Sequence, residues 1–472
     1  MWVGLLLGVL FLASCAEDDN GNGEQPKPAQ HTEAVEALMK ICDEHAEVKA
    51  LLEHAISQAA QVNPDRDYNP AQTLTEFYDF VDRNVRCLPW DVMLHPAPND
   101  YGRSLYGRTD QGIGYFWFVV DQPLDELRGR GFFYPTVEFV EPFATWLSTY
   151  SNSWGEWLST EESWNDSYYQ MVASDPDWGL DKGWYGEGNQ WTTFNEFFAR
   201  KLASPDMRPI ADADVVSPAD AWAKQTWHID DNNQLDYGEE ALQIKTAMIK
   251  DIAQLIGNDS RYKDAFAGGT LTHEFLDVNC YHRYHAPVDG VLRELRTVPG
   301  VSAGGGYTLW NPETKLYYYV NDLGFQMVET RACAIIETVD HGLVAMLPVG
   351  MSQICSVNWI PSLHEGQRLK QGDEMGFFQF GGSDIVLIFQ RGVQVELLHK
   401  GGDDVTLMGQ PYAKLKVKRY KGKKVKKEHE TSQDTQRFSS HQDYHSGTGN
   451  DDDHHADCRH LADAVCPLLR CR

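Results

Sequence analysis

Residues 381–389 read Gly381-Gly382-Ser383-Asp384-Ile385-Val386-Leu387-Ile388-Phe389. An unbroken apolar run with β-branched Ile385, Val386 and Ile388 describes a buried strand, and the Gly-Gly-Ser ahead of it describes a tight turn. Two glycines remove the side chains that would block approach to the Gly382 carbonyl. Ser383 places a hydroxyl beside that carbonyl. A turn locked against a stiff strand can hold the two in a strained, reactive geometry. Gly-Gly-Ser is also an ordinary hairpin turn, so the reading depends on what else the chain supplies.

Two other segments supply it. Ser217-Pro218-Ala219-Asp220 brings a carboxylate, and Tyr281-His282-Arg283-Tyr284-His285-Ala286-Pro287-Val288-Asp289-Gly290 brings two histidines. With Ser383 these residue types form the orienter, base and nucleophile of a serine triad. Taken singly, Asp220 after Ser-Pro is also a turn acid, and histidines three apart are also surface or metal-binding residues.

Taken in order, these segments resemble the phosphatidylserine decarboxylase family. The resemblance runs from about Phe194 to Phe389. It includes Phe194-Asn195-Glu196-Phe197-Phe198-Ala199-Arg200-Lys201-Leu202, Arg208-Pro209-Ile210, Ser217 to Asp220, Phe266-Ala267-Gly268-Gly269, Tyr281 to Gly290 and Gly381 to Phe389. It implies that the chain makes its own cofactor, a pyruvoyl group generated from Ser383. The Ser383 hydroxyl attacks the Gly382 carbonyl, the peptide becomes an ester, and β-elimination cuts the chain between Gly382 and Ser383. Asp220 is expected to orient His285, and His285 to take the Ser383 proton. The finished ketone is an electrophile and electron sink for decarboxylation. His282 is expected to contact substrate or to donate a proton. This chain departs from the family pattern at Asp384, where Thr or Ser is usual, at Ala221 for Gly, and at Cys280 for Asp. A carboxylate at 384 either opposes the forming oxyanion or serves as a local base.

Resemblance leaves the substrate open. Phosphatidylserine, converted to phosphatidylethanolamine, is the family's own. The aromatic, helical region at 33–185 is similar to the extra domain of a branch that includes fungal tryptophan decarboxylases, which implies a free aromatic amino acid such as L-tryptophan. A third reading, favoured by Asp384, is an unprocessed, non-enzymatic envelope lipoprotein.

The whole chain bounds these readings. Its 472 residues allow two to three domains. A formal net charge of −28 argues against nucleic-acid binding and against a broad electrostatic dock onto anionic lipid. Trp2 to Ser14 is an apolar run of signal-peptide length ending in Leu12-Ala13-Ser14-Cys15. That pattern resembles a bacterial lipoprotein signal, with Cys15 lipidated and the chain exported and anchored at the cell envelope. Without a Cys-x-x-Cys pair, no structural zinc site is expected, and disulfide connectivity cannot be read. Cys333 and Cys355 sit in apolar runs that suit buried free thiols.

The predicted fold class is α+β: a helical N-terminal domain followed by a strand-rich, β-sandwich or barrel-like catalytic domain. Residues 1–15 are the signal and 16–32 a tether. Residues 33–185 carry helices, with apolar faces beginning at Ala34, Val35 and Leu38 and recurring over Thr73 to Val85. Trp146, Trp154, Trp157 and Trp164 read as core. Residues 186–410 form the catalytic domain. Its predicted strands are Val288–Leu292, Ala332–Thr338, Leu343–Val349 and Ile385–Phe389, interrupted by a helix over 240–255. Residues 365–376 resemble a lipoyl-like sandwich turn, with Lys370 a solvated turn lysine. Residues 411–472 read as a disordered tail, whose Asp451-Asp452-Asp453-His454-His455 run could hold a metal only loosely.

Overall fold

A computed structural model describes residues 31–132, 134–236, 251–300, 302, 304, 306–321, 329–351, 356–380, 382–398 and 405–417. The signal, the Cys15 site, most of the 240–255 helix and the His/Asp-rich stretch lie outside the described residues. So does Cys355.

The N-terminal region is helical. It comprises α1 (Glu33–Glu44), α2 (Ala46–Val62), α3 (Leu74–Asn84), α4 (Asp100–Arg103), α5 (Leu105–Val120), α6 (Phe143–Trp157) and α7 (Asp166–Ala173). Apolar residues at three- and four-residue spacing give α1 its buried face of Ala34, Val35, Leu38 and Cys42, while Glu33 and Glu36 suit the positive end of its dipole. Thr73 caps α3 by accepting from Glu76 N. Helix α5 is buried almost all round and forms the centre of the bundle. Trp146, Trp154 and Trp164 are core, as their spacing predicts, and Trp157 is half-buried. Two short helices follow, α8 (Phe194–Phe198) and α9 (Ile252–Ile256).

The strand-rich region is built on one open sheet in the order β12-β6-β9-β10-β14-β4-β2-β3, and every pairing in it is antiparallel. In chain order these are β2 (Trp222–Ile229), β3 (Leu235–Asp236), β4 (Thr270–Leu276), β6 (Gly290–Val298), β9 (Arg331–Glu337), β10 (Leu343–Met351), β12 (Arg368–Leu369) and β14 (Gly382–Phe389). Small sheets flank it. One joins β1 (Val215–Val216), β16 (Pro411–Val417) and β15 (Val393–Leu397), so that 411–417, expected as the start of a disordered tail, is instead a paired strand, and another joins β11 (Val357–Trp359), β13 (Glu374–Phe378) and β5 (Arg283–His285). The sheet does not close into a barrel. Both its faces are covered, which is why its central strands read as continuous apolar runs. Ile385, Leu387 and Phe389 enter the core shared with the helical region, whereas Val386 and Ile388 enter a second core with Ile252, Phe266, Ile335 and Leu347.

A hairpin of β7 (Gly306–Asn311) and β8 (Leu316–Asn321) leaves the catalytic region and docks on the helical one. Gln111 of α5 bonds both backbone groups of Tyr317, at 2.8 and 2.6 Å. Asp121, whose carboxyl burial holds well above its usual range, accepts from Thr308 N at 2.7 Å. Lys370 is exposed in its turn, with Nζ 2.5 Å from Asp289.

Candidate active site

Strand β14 begins earlier than the Gly-Gly-Ser pattern suggests. Gly382 already pairs with Met351, and Ser383 lies between Gly350 on β10 and Leu276 on β4. The Gly382–Ser383 bond therefore sits in the first rungs of a strand held on both sides, not in the tip of a turn. Ser383 is fully buried, and its Oγ has no hydrogen-bond partner among the described residues. A buried hydroxyl without a partner is uncommon in native interiors and calls for an explanation, of which a chemical role is one.

His285 stands on β5, whose backbone N–H donates to Pro218 O at 2.8 Å and so joins it to the Ser217–Asp220 segment. Its Nδ1 lies 2.8 Å from Gly372 O. A carbonyl only accepts, so Nδ1 carries the proton and Nε2 keeps the lone pair. Tyr281 Oη, 3.1 Å away, donates to that lone pair. Burial holds the His285 pKa below its usual value, against the Gly372 bond and the charges of Glu374 and Asp220, which raise it. The ring is a neutral imidazole with its basic nitrogen on Nε2.

Asp220 does not orient His285 directly, which corrects the expected triad. Arg208 forks both its oxygens, with Nε to Oδ1 at 3.1 Å and Nη2 to Oδ2 at 2.6 Å. Met408 N also donates to Oδ1 at 2.8 Å. Both groups are buried, and Arg208 stacks 3.9 Å from the Trp184 ring centre. The physical reason is that a buried guanidinium, which has only donors, demands a matched acceptor, and both Asp220 oxygens are taken up in meeting that demand. Burial lowers the Arg208 pKa, but the bond and charge of Asp220 leave it above its ordinary value. Asp220 reaches His285 through its charge, and Gly372 takes the orienting contact.

His282 is completely buried and stacks on Phe198 at 3.9 Å. Its Nδ1 bonds Cys280 O at 2.9 Å, and its Nε2 has no partner among the described residues. Burial, followed by the Arg200 charge, holds its pKa well below the usual value. Arg200 in turn pins the preceding loop, donating to Asn279 O at 2.7 Å and Cys280 O at 3.1 Å.

Three contributors went unassigned in the sequence. Tyr281 lay inside the quoted histidine segment, so its position was visible but its role was not. Asn195 ties the regions together: its Oδ1 accepts from Phe380 N at 3.3 Å, and its Nδ2 donates to Gly155 O of α6 at 3.0 Å. Glu274 carried no sequence signal. It is fully buried on β4, opposite Ile385, so it shares the sheet face of Ser383. Burial raises its pKa to about 8, and its Oε2 lies 3.1 Å from Ser217 Oγ. Ser217 Oγ is in donor range of both Glu274 Oε2 and Ala219 O, the latter at 2.8 Å, and its bond to Glu274 opposes the rise that burial causes.

A pyruvoyl group needs no separate pocket, since it is made from Ser383 itself. The residues fit that origin: a buried hydroxyl with no partner among the described residues, a side-chain-free Gly382 before it and, on the 281–290 segment, two histidines that burial holds toward the neutral form.

Comparison with known proteins bears on the family. The sequence profile of the phosphatidylserine decarboxylase family matches residues 194–414. The chain is 34% identical over 220 residues to a phosphatidylserine decarboxylase proenzyme of Nitrosospira multiformis, covering 43% of this chain and 69% of that one. It is 31% identical over 203 residues to phosphatidylserine decarboxylase proenzyme 2 of Oryza sativa, covering 42% of this chain and 29% of that one. It is 27% identical over 225 residues to an L-tryptophan decarboxylase of Psilocybe cyanescens, covering 44% of this chain and 49% of that one. The chain thus spans less than half the length of the rice and Psilocybe relatives. Its match to the Nitrosospira proenzyme covers most of that protein, and the chain belongs to the phosphatidylserine decarboxylase family.

Proposed function

We propose that this chain is a pyruvoyl-dependent α-decarboxylase that cuts itself between Gly382 and Ser383. The observation that carries the reading is the buried, partnerless Ser383 Oγ one residue into a strand fixed on both edges. Ser383 Oγ attacks the Gly382 carbonyl carbon, and its proton passes to a base, for which neutral His285 Nε2 is suited once Tyr281 releases it. The peptide becomes an ester. Loss of the Ser383 α-proton then breaks the Cβ–O bond and frees the Gly382 carboxylate. Addition of water and loss of ammonia leave the new N-terminus as a ketone. The pyruvoyl group supplies an electron sink for loss of carbon dioxide from a carboxylate α to an amine. His282, neutral and buried with a free Nε2 lone pair, is suited to hold or return a proton at the substrate.

Two substrates carry such a carboxylate. Phosphatidylserine is the one named for the Nitrosospira and rice relatives. A free aromatic amino acid is favoured by one feature of the fold. Helix α6 forms a wall of a cleft of about 410 Å³, whose other side is Ser356, Gln379 and Phe380, just ahead of the cleavage site. Trp154 and Phe380, both lining it, pack edge to face with ring centres 5.0 Å apart. A cleft walled by the helical region suits a compact aromatic ligand better than a diacyl lipid. The test is carbon dioxide release from tryptophan, tyrosine and micellar phosphatidylserine, after mass spectrometry of the purified protein. A pyruvoyl-capped fragment beginning at 383 is expected. An intact chain, stable on incubation, would refute the self-cleavage.

A further inference from the structure

The buried acid at position 384 has a partner. Asp384 has no exposed surface, and its Oδ1 lies 2.9 Å from His273 Nε2. The two residues meet across the β14–β4 pairing, where Asp384 sits opposite Phe275 and His273 sits opposite Val386. Both are on the face away from Ser383, and His273 packs on Trp227 with ring centres 6.1 Å apart. Val349 lies directly across on β10 and Val386 next along β14, and beyond Val349 the buried Arg331 of β9 is committed to the carbonyls of Leu255, Glu329 and Gln254. The approach is close but is not an aligned hydrogen bond, and it is an ion pair when the imidazole carries its second proton.

This placement matters for the bond next door. Attack on the Gly382 carbonyl puts negative charge on its oxygen, and in a dry interior a second negative charge close by slows that step. Strand alternation sends the Asp384 side chain to the face opposite Ser383, and His273 is the group that meets it there. We propose that His273 is a positioning residue for chain cleavage: it holds and offsets the Asp384 carboxylate on the far face of β14, so that an acid beside the nucleophile is tolerated. The inference rests on the self-cleavage proposed above.

Four proteins test it: the unaltered chain, Asp384→Thr, His273→Leu and the double variant. Each is followed by gel and intact mass from synthesis onward. The unaltered chain and Asp384→Thr cleave at similar rates. His273→Leu cleaves about tenfold more slowly or worse, because it leaves a buried carboxylate without its partner. The double variant recovers to within about threefold of Asp384→Thr, since no charge remains to be offset. A role for His273 confined to packing on Trp227 predicts equal slowing whether residue 384 is Asp or Thr, and that result overturns the proposal. So does undiminished cleavage of His273→Leu. If His273→Leu does not fold, the comparison of Asp384→Thr with the double variant decides: equal cleavage supports the proposal, and a slow double variant rejects it. Absence of cleavage in the unaltered chain would instead refute the underlying self-cleavage.

Discussion

The carbonyl oxygen of Gly372 lies 2.8 Å from His285 Nδ1, and that contact decides which nitrogen of the ring is the base. Gly372 belongs to the turn that leads into β13, and its own N–H donates to Ala286 O at 2.9 Å. The orienting group is thus a rigid piece of backbone that cannot itself titrate. Asp220 is left to pair with Arg208 and to act on His285 at a distance.

His285→Ala therefore slows cleavage by about 100-fold or more, the usual worth of a positioned base. Tyr281→Phe has the opposite sign. It removes the hydroxyl that occupies Nε2 while leaving the Gly372 contact intact, so cleavage proceeds at least as fast as in the unaltered chain. A gel time course checks both. Loss of cleavage in Tyr281→Phe would place the phenol in the proton path instead of in front of it.

Arg208→Met exposes the cost of an unpaired buried charge. Arg208 and Asp220 are both almost inaccessible to solvent, so removing the cation leaves a carboxylate with only the Met408 N–H. The expected loss is about 3–5 kcal/mol of stability. Arg208→Met/Asp220→Leu recovers much of it. Urea midpoints of the uncleavable Ser383→Ala chain carrying these changes measure the effect without interference from processing.

Much of this scaffold was legible because its periodicity is local. The faces of α1 and α3 follow from residues three and four apart, and β9, β10 and β14 read as apolar runs because both sheet faces are buried. The site was legible only as residue types. That Arg208 would claim Asp220, or that Gly372 would claim His285, depends on packing between segments far apart in sequence. Cross-strand register is equally hidden: His273 meets Asp384 only because β4 lies beside β14 in one particular alignment. The β7–β8 hairpin read as part of the catalytic region, yet Gln111 and Asp121 bind it to α5. Its own alternation of apolar residues says nothing about which surface it covers.

Glu274 gives the fold a pH signature. Its folded pKa, about 8, stands above the ordinary 4.5, so between those values the folded chain keeps a proton that the unfolded chain has lost. Stability from this group is therefore fully present below the lower value and declines as pH rises toward the upper one, by at most about 1.4 kcal/mol per pH unit. Glu274→Gln has no such proton to release. In the Ser383→Ala background, its urea midpoint should gain on that of the parent between about pH 5 and pH 8. Parallel curves would show that Glu274 is already ionised in the fold.

His282 separates cofactor formation from turnover. Its Nδ1 is fixed by Cys280 O, its ring lies flat on Phe198, and Phe198 meets Phe380 at the edge of the α6 cleft. Its Nε2 is buried and has no partner among the described residues. With His285 as the proposed base for cutting the chain, His282 is assigned to the later step. His282→Asn keeps a short polar side chain in the cavity but lacks the imidazole base. Its fragment beginning at residue 383 forms at near-normal rate, while kcat for decarboxylation falls by about 100-fold. Both are read from one preparation, by intact mass and by carbon dioxide release. A variant that fails to cleave would move His282 into the processing step, and one that cleaves and turns over normally would reduce it to a packing residue against Phe198.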